Sequence, residues 1–313
     1  ETKMNTPFNF RLTKFPNEAE ILRHEVREFL SDALKDVPKE TRAETWYGAD
    51  ENFSRKVGQQ GWIGLNWPKE HGGAGRSSME RYVILEEMLT AGAPVGAHWI
   101  SDRQSGPLII RYGTEKHQKE LLPGILKGES YFCIGMSEPD SGSDLAALRT
   151  KAEKKGDIYL VNGTKLWTSG AHRCQYMIAL FRTSQEEDRH GGFSQFIVDL
   201  SLPGVTIRPI IDLAGRHHFN EVIFEDVEVP QDMLIGTEGN GWNQVTAELA
   251  LERSGPERYL SSYMLLQELV NEFSNKNDDE GVTEIGRQMS HLSTLRQMSV
   301  SVAGMLDQGE NPA

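Results

Sequence analysis

The chain has 313 residues, a quarter of them charged, with 33 Lys+Arg against 46 Asp+Glu and a formal net charge of -13. That length admits two or three domains with a sizeable core, and the acidic balance opposes non-specific attraction to nucleic acid or an anionic membrane surface. No run reaches the ~20 apolar residues of a membrane span, the opening ETKMNTPFNF lacks the parts of a signal peptide, and Cys133 and Cys174 form neither a CxxC pair nor a disulfide framework. A cytoplasmic setting is expected, with Met4 a candidate natural start.

Residues 1–130 read as an α-helical domain. Leu22, Val26, Phe29, Leu30 and Leu34 recur at three- and four-residue spacing, which sets one apolar stripe on a helix. A second helix is expected in SSMERYVILEEMLTAGAP, with Ser77 or Ser78 as its N-cap and Gly92 to Pro94 as its stop. The intervening GWIGLNWPKEHGGAGRS is too rich in Gly and Pro to continue either.

Residues 131–236 read as a β-domain. RTKAEKKGDIYLVNGTKLWTS has a Gly-Asp turn between two extended runs, and QYMIALFRT, FSQFIVDL, GVTIRPI and NEVIFEDVEVP follow at strand-like lengths. The charged SQEEDRHGG is expected to be an exposed hairpin loop, and the strands to form two packed sheets or a flattened barrel.

Residues 237–313 return to helical spacing, first with Trp242, Val245, Leu249 and Leu251, then with Tyr263, Leu266 and Val270. After the polar SNKNDDEG, a last helix from about Ile285 carries Leu292, Leu295, Met298 and Val302. It has no obvious antiparallel partner, so the C-terminal bundle is expected to be partial and the chain part of a longer one. The fold class is α+β: helical domain, β-domain, helical bundle.

Five segments in order, GWIGLNWPKEHGGAG, YFCIGMSEPDSGSDLAALRTKA, LVNGTKLWTSGAH, FNEVIFEDVEVP and GTEGNGWNQVTAELALER, resemble the acyl-CoA dehydrogenase family from about Gly61 to Arg258. The resemblance implies FAD bound between the β-domain and the C-terminal helices. Ile134, Met136 and Ser137 match positions at the flavin ring, and Gly142 and Ser143 match positions near the pyrophosphate and the substrate. Trp167 matches the aromatic packed on the ring, and Thr168 with Ser169 covers the donor near the reactive nitrogen. Fixed donors there suit a flavin that gains negative charge on reduction. Read without their neighbours, SEPDSGSD is an ordinary turn-rich loop and Trp167 a core aromatic.

The implied reaction is α,β-dehydrogenation of an acyl-CoA thioester to the 2-enoyl-CoA, in fatty acid or steroid degradation. It requires a carboxylate base across the substrate from the ring. Glu252 falls on the position that supplies the base in isovaleryl-type members, with Leu249 and Arg253 as substrate contacts and Arg253 near a CoA phosphate. A second reading stays open: Glu248 with Glu252, and Arg253 with Glu257, are four apart and suit a solvated charged helix face. Pro256 lacks the amide that would bond the carbonyl of residue 252, so a kink or loosening is expected there.

APVGAHWISDRQSGP matches the helix lining the acyl pocket. If His98, Ser101, Asp102, Arg103 and Gln104 face inward, a bulky or oxygenated acyl group such as a sterol fragment is implied; if outward, they are solvated. The nine histidines are scattered, and the neighbours His217 and His218 point to opposite sides of an extended segment, so no metal is expected. NDDEGVTEIGRQMSHLSTLRQM departs from the family's Arg-x-x-Phe-Gly motif, leaving homomeric and heteromeric assembly, dimer or tetramer, both open. An electron-transfer flavoprotein or similar acceptor is the implied redox partner. A non-catalytic partner subunit and an acyl-CoA oxidase remain the alternatives, because this scaffold serves more than one reaction.

Overall fold

The computed structural model describes residues 10–252, 255–274 and 279–310; for Thr45 and for residues 247–252 it describes only the backbone. In chain order come the helices α1 (Asn17–Ala33), α2 (Lys39–Ala43), α3 (Glu51–Gln59), α4 (Ser78–Thr90), α5 (Gly106–Tyr112) and α6 (Glu115–Leu126). The strands β1 (Phe132–Gly135), β2 (Lys151–Lys155), β3 (Ile158–Ser169), β4 (Tyr176–Arg182), β5 (Phe193–Asp199), β6 (Val205–Ile211), β7 (His217–Pro230) and β8 (Leu234–Ile235) follow. The helices α7 (Gly241–Glu252), α8 (Glu257–Leu260), α9 (Tyr263–Phe273) and α10 (Asp279–Asp307) close the order. Helices therefore flank a middle β region, as the α+β reading expects.

The chain divides into two compact units. One, a helical unit, holds α1, α2, α4, α8, α9 and α10. Leu22, Val26 and Leu30 of α1 are buried, while α4 is buried around most of its girth from Met79 to Leu89. Ser77 caps α4 by accepting from Glu80 N, and the Glu80 carboxylate accepts from Ser77 N, a reciprocal box that satisfies two otherwise orphaned donors. Met79 and Tyr82 form a small core with Val300 and Ala303 of α10.

Two expected stripes behave differently. On α9 only Met264 is buried, and Leu265, Leu269 and Val270 are exposed. On α10 the buried face is Ser299, Val300, Ser301, Ala303 and Gly304, while Leu295 is exposed and Leu292, Met298 and Val302 are half-buried. Small residues permit close helix approach, and periodicity of the large apolar residues alone misplaces that face. α8 begins after Pro256, its N-cap residue; how the chain runs from Glu252 to Gly255, where the loosening is expected, lies outside the described residues.

The second unit holds α3, α5, α6, the eight strands and α7 as far as Leu251. All eight strands belong to one hydrogen-bonded sheet, ordered β6-β7-β3-β2-β4-β5-β8 with β1 parallel to β4, where two separate sheets were one expectation. Strand alternation sends Tyr159 and Val161 of β3, Phe196 and Val198 of β5, and Val222 and Phe224 of β7 into a shared core. Leu148, Leu180 and Phe193 pack with Val245, and Met136 and Trp242 lie partly buried beside them, so α7 is seated by its first turns. Residues 185–190, within the SQEEDRHGG segment, are exposed between β4 and β5, as expected.

Candidate functional site

The site is built where β3 ends. β3 pairs with β7 through Lys165↔Val222 and then Thr168↔Asn220, so Leu166 and Trp167 together oppose the single residue Glu221. Such a bulge breaks the in-out alternation and re-aims a side chain. Trp167 takes the left-handed backbone conformation, φ 62, and is 56% exposed with its ring edge-on to Phe219 at 6.0 Å. A bulky aromatic in that conformation stores about 1–3 kcal/mol of strain, which surrounding bonds must hold.

Those bonds come from the Ser/Gly-rich loop. Leu166 N donates to Ser137 O at 2.8 Å, and Lys165 Nζ donates to Met136 O at 3.1 Å and to Glu138 Oε1 at 2.8 Å. Glu138 also accepts from Arg149 N at 2.6 Å and Thr150 N at 3.0 Å. Glu138 and Ser141 exchange backbone bonds of 2.7 and 3.1 Å, closing a turn. Lys165 is fully buried, and that desolvation pushes its ammonium down to about 8 although Glu138 opposes it. Burial resists ionisation of Glu138 too, but Lys165 and the two backbone donors outweigh it and hold the carboxyl below its ordinary value. The pair is charged at neutral pH and pins the loop to β3.

The predicted residues fall into three groups. Met136 and Ser137, both half-buried, are bonded through their carbonyls to Lys165 and Leu166, the residues that precede Trp167, Thr168 and Ser169. Gly142 and Ser143 are exposed beyond the Glu138–Ser141 turn, and a Cβ on Gly142 would meet nothing within 4 Å. Ile134 is half-buried in β1, paired with Ile178 of β4. Leu249 and Glu252 lie on the described backbone of α7, their side chains outside the described residues, and Arg253 lies outside them altogether. The charged-face reading of that region fails at Glu257, which is 3% exposed.

Thr168 is 1% exposed, and its Oγ1 has no hydrogen-bond partner among the described residues, while its carbonyl accepts from Asn220 Nδ2 at 3.0 Å. Behind it His172 and His217 stack with centroids 3.7 Å apart. His217 Nε2 is 2.7 Å from Asn220 Oδ1, and Arg173 Nε donates to His172 Nε2 at 2.9 Å. Burial, then His217 and Arg173, push His172 down to about 4.

The segment expected to face a substrate turns inward, but toward the protein. Ser101–Ser105 is a π-helical turn leading into α5. His98 Nδ1 bonds Ser54 Oγ at 2.8 Å, Asp102 Oδ1 accepts from Gly64 N at 2.7 Å, and Ser101 Oγ accepts from Phe132 N at 2.9 Å. These three buried side chains already bond the protein's own groups, which removes them from the argument for an oxygenated acyl group. Burial pushes His98 down to about 4, Asp102 only partly opposing it.

The sequence reading missed Glu138, Lys165, Asn220 and the His172–His217 pair. A signal existed for Lys165, a lysine at an inward position of a strand whose alternation otherwise reads apolar. None existed for the histidines, because their pairing depends on β3 and β7 lying side by side. Among the described residues no group of three or more His, Cys, Asp or Glu could hold a metal, and no helix is long and apolar enough to cross a membrane. A cavity of about 1010 Å³ lies in the helical unit, lined by Leu30, Leu34, Tyr263 and Leu292 among others, and none of the loop residues lines it.

The middle β region with flanking helices, and a donor-rich loop bonded to β3 just before a bulged, exposed tryptophan, define a class. Residues 16–129 match the acyl-CoA dehydrogenase N-terminal domain and residues 133–227 the acyl-CoA dehydrogenase middle domain. The chain is 37% identical over 268 residues to acyl-CoA dehydrogenase FadE29 of Mycobacterium tuberculosis, covering 84% of this chain and 68% of that protein. It is 33% identical to acyl-CoA dehydrogenase IpdE1 of Mycolicibacterium smegmatis, covering 94% and 81%. Among solved structures it is similar to a Tcur3481-Tcur3483 steroid ACAD, with TM-score 0.86, 29% identity and 96% and 79% of the two chains covered. It is also similar to the ChsE4-ChsE5 complex from Mycobacterium tuberculosis, with TM-score 0.81, 31% identity, and 95% and 78% covered. The chain belongs to the acyl-CoA dehydrogenase family, and its class of activity is that of an acyl-CoA dehydrogenase, an oxidoreductase.

Proposed function

We propose that the chain binds FAD against the loop from Met136 to Asp144 and the end of β3, and dehydrogenates an acyl-CoA thioester whose acyl group is steroid-derived. The observation that carries this reading is Trp167, a strained aromatic turned outward beside the buried, unpartnered hydroxyl of Thr168. An orphaned buried donor and an exposed planar face fit a large ring with hydrogen-bonding edges. When bound, FAD supplies the acceptor for the hydride that leaves the β-carbon.

The chain's own residues do the rest. Trp167 offers a flat apolar wall, Thr168, Ser169 and Ser137 offer hydroxyl donors to a ring edge, and Gly142 leaves room for a bulky polar group at the exposed end of the loop. Ile134 and Met136 supply apolar flanks. Glu252 takes the α-proton of the thioester, with Leu249 and Ser143 along the acyl group and Arg253 at a CoA phosphate. The steroid-derived substrate is supported by the "steroid ACAD" to which the chain is similar. Electrons pass to an electron-transfer flavoprotein or similar acceptor, in the cytoplasm.

A second reading is favoured by one finding: two of the similar structures are named as pairs of different chains. In it the chain is a heteromeric partner whose own carboxylate does no chemistry. The visible spectrum of the purified full chain decides between them. Bound-flavin absorbance bleached anaerobically by a steroid-derived acyl-CoA, and not in Glu252→Gln, supports the enzyme. Bleaching that persists in Glu252→Gln removes Glu252 as base, and bleaching matched by equal peroxide release in air identifies an oxidase.

A further inference from the structure

The hydrogen bonds behind Thr168 admit one proton arrangement. A guanidinium only donates, so Arg173 Nε, 2.9 Å from His172 Nε2, makes that nitrogen an acceptor and places the ring proton on Nδ1. Nδ1 lies 3.2 Å from Asn220 Oδ1 and 3.1 Å from its Nδ2, and as a donor it takes the oxygen; His217 Nε2 donates to the same oxygen at 2.7 Å. With Oδ1 committed to two histidines, the Asn220 amide cannot flip, and its Nδ2 faces Thr168 O at 3.0 Å. Asn220 is fully buried, and its bond to Thr168 O is shielded from water, while the histidines lie at the partly exposed side of the cluster.

The consequence falls on the strained bulge. Trp167 lies between two pinned peptides: Leu166 N is bonded to Ser137 O, and Thr168 O is bonded to Asn220. No peptide in the described chain is cis, so fixing the Thr168 carbonyl directs the Ser169 N–H the opposite way. One buried amide therefore sets the orientation of Trp167, the Thr168 hydroxyl and the Ser169 amide together.

We infer that Asn220, oriented by the stacked His172–His217 pair and Arg173, is a positioning residue that holds the Trp167–Ser169 bulge in the conformation that receives the flavin ring. This rests on the flavin reading above. Asn220 touches no reacting atom; it acts by aiming donors that favour the reduced, more negative ring.

The test uses the full chain with FAD and compares wild type with Asn220→Asp and His217→Phe. Asn220→Asp keeps the side-chain shape but cannot donate to Thr168 O. His217→Phe keeps the ring stack and removes one bond to Oδ1. The readouts are the FAD dissociation constant, the two-electron midpoint potential, the fine structure of the visible band, and the melting midpoint of the FAD-free protein. Asn220→Asp is expected to bind FAD about tenfold more weakly, and to lose about another tenfold for the reduced form, a fall of about 30 mV in potential. His217→Phe is expected to move both about threefold in the same direction.

A lowered melting midpoint with unchanged potential and band shape in both variants means that the cluster only braces the sheet, and the inference falls. Unchanged affinity and potential in Asn220→Asp likewise overturn it while leaving the flavin reading intact. A wild-type chain that takes up no FAD overturns both together.

Discussion

The helical unit and the sheet unit are stabilised by opposite means. In the sheet unit the interior is a continuous apolar core, and its buried pair Glu138–Lys165 serves the loop and not the core. In the helical unit the centre is ionic. Glu86, 5% exposed, accepts from Arg23 Nη1 at 2.9 Å, from Arg296 Nε at 2.6 Å and from Tyr259 at 3.3 Å, joining α1, α4, α8 and α10. Glu87 beside it takes Arg27 through bonds of 2.7 and 3.0 Å, and Arg23 as well. A buried ion network fixes which helices meet, at a desolvation cost, whereas a sheet core gains stability simply by area.

That contrast is sharpest at Glu86. Glu86→Leu takes one carboxylate from the buried Arg23, the shared acceptor from Tyr259 and the partner from the half-exposed Arg296, and is expected to cost about 3–4 kcal/mol in denaturant unfolding. A loss below about 1 kcal/mol would place the stability of the helical unit in its small apolar contacts instead. Next in size is Lys165→Met, which strands the Glu138 carboxylate and removes the bond to Met136 O; about 3 kcal/mol is expected. Adding Glu138→Gln should recover about half of it, because the uncompensated charge disappears, although the single Gln carbonyl oxygen can accept from only one of Arg149 N and Thr150 N. No recovery would mean that the pair acts through the loop's shape alone.

The two units should also respond differently to acid. His98 of the sheet unit has a folded value near 4 against 6.5 ordinarily, so the unfolded chain binds more protons between those limits. Stability from this source is complete above pH 6.5 and is lost as pH falls toward 4, about 1.4 kcal/mol of it by pH 5.5. Glu86 has the same sign but a lower window: burial resists its charge, Arg296 and Arg23 outweigh that and hold it below 4.5, so its contribution persists until pH falls beneath that value. Amide hydrogen exchange at pH 5.5 should therefore show faster opening around Ser54, His98 and Phe132 while α1 and α4 are unchanged. Equal loss in both units, or the same loss in His98→Gln, would remove His98 as the cause.

The same contrast explains what could be read from the sequence. Strands β3 and β6 announce themselves by alternation of inward and outward residues, β4 and β5 by short apolar runs buried along most of their length, and the Gly156-Asp157 turn separates β2 from β3. A motif in the sequence singles out Trp167, Thr168 and Ser169 as candidates, but it does not reveal the bulge that turns Trp167 outward, since that exists only in the register against β7. Nothing local distinguishes the buried Glu86 and Arg23 from the exposed Glu25 and Glu28. Burial of a charge is decided by the helix that arrives from more than two hundred residues away, here α10 with Arg296.

The smallest effect tests whether legible and illegible contacts differ in worth. Ser77 caps α4 by accepting from Glu80 N at 3.1 Å, a contact written in the Ser-x-x-Glu pattern. The next two donors of the same helix end, Ser78 N at 2.5 Å and Met79 N at 3.1 Å, are taken by the carboxylate of Asp307 from the far end of α10, which no local pattern reveals. Both satisfy first-turn amides, and Asp307 adds a negative charge at a positive helix end. Ser77→Ala and Asp307→Ala are each expected to cost about 1 kcal/mol in thermal or denaturant unfolding. Because they serve different amides, the double variant should lose the sum within about 0.5 kcal/mol. A much larger loss for Asp307→Ala would mean that it docks α10 onto α4 as well as capping it, and the long-range contact would then outweigh the local one.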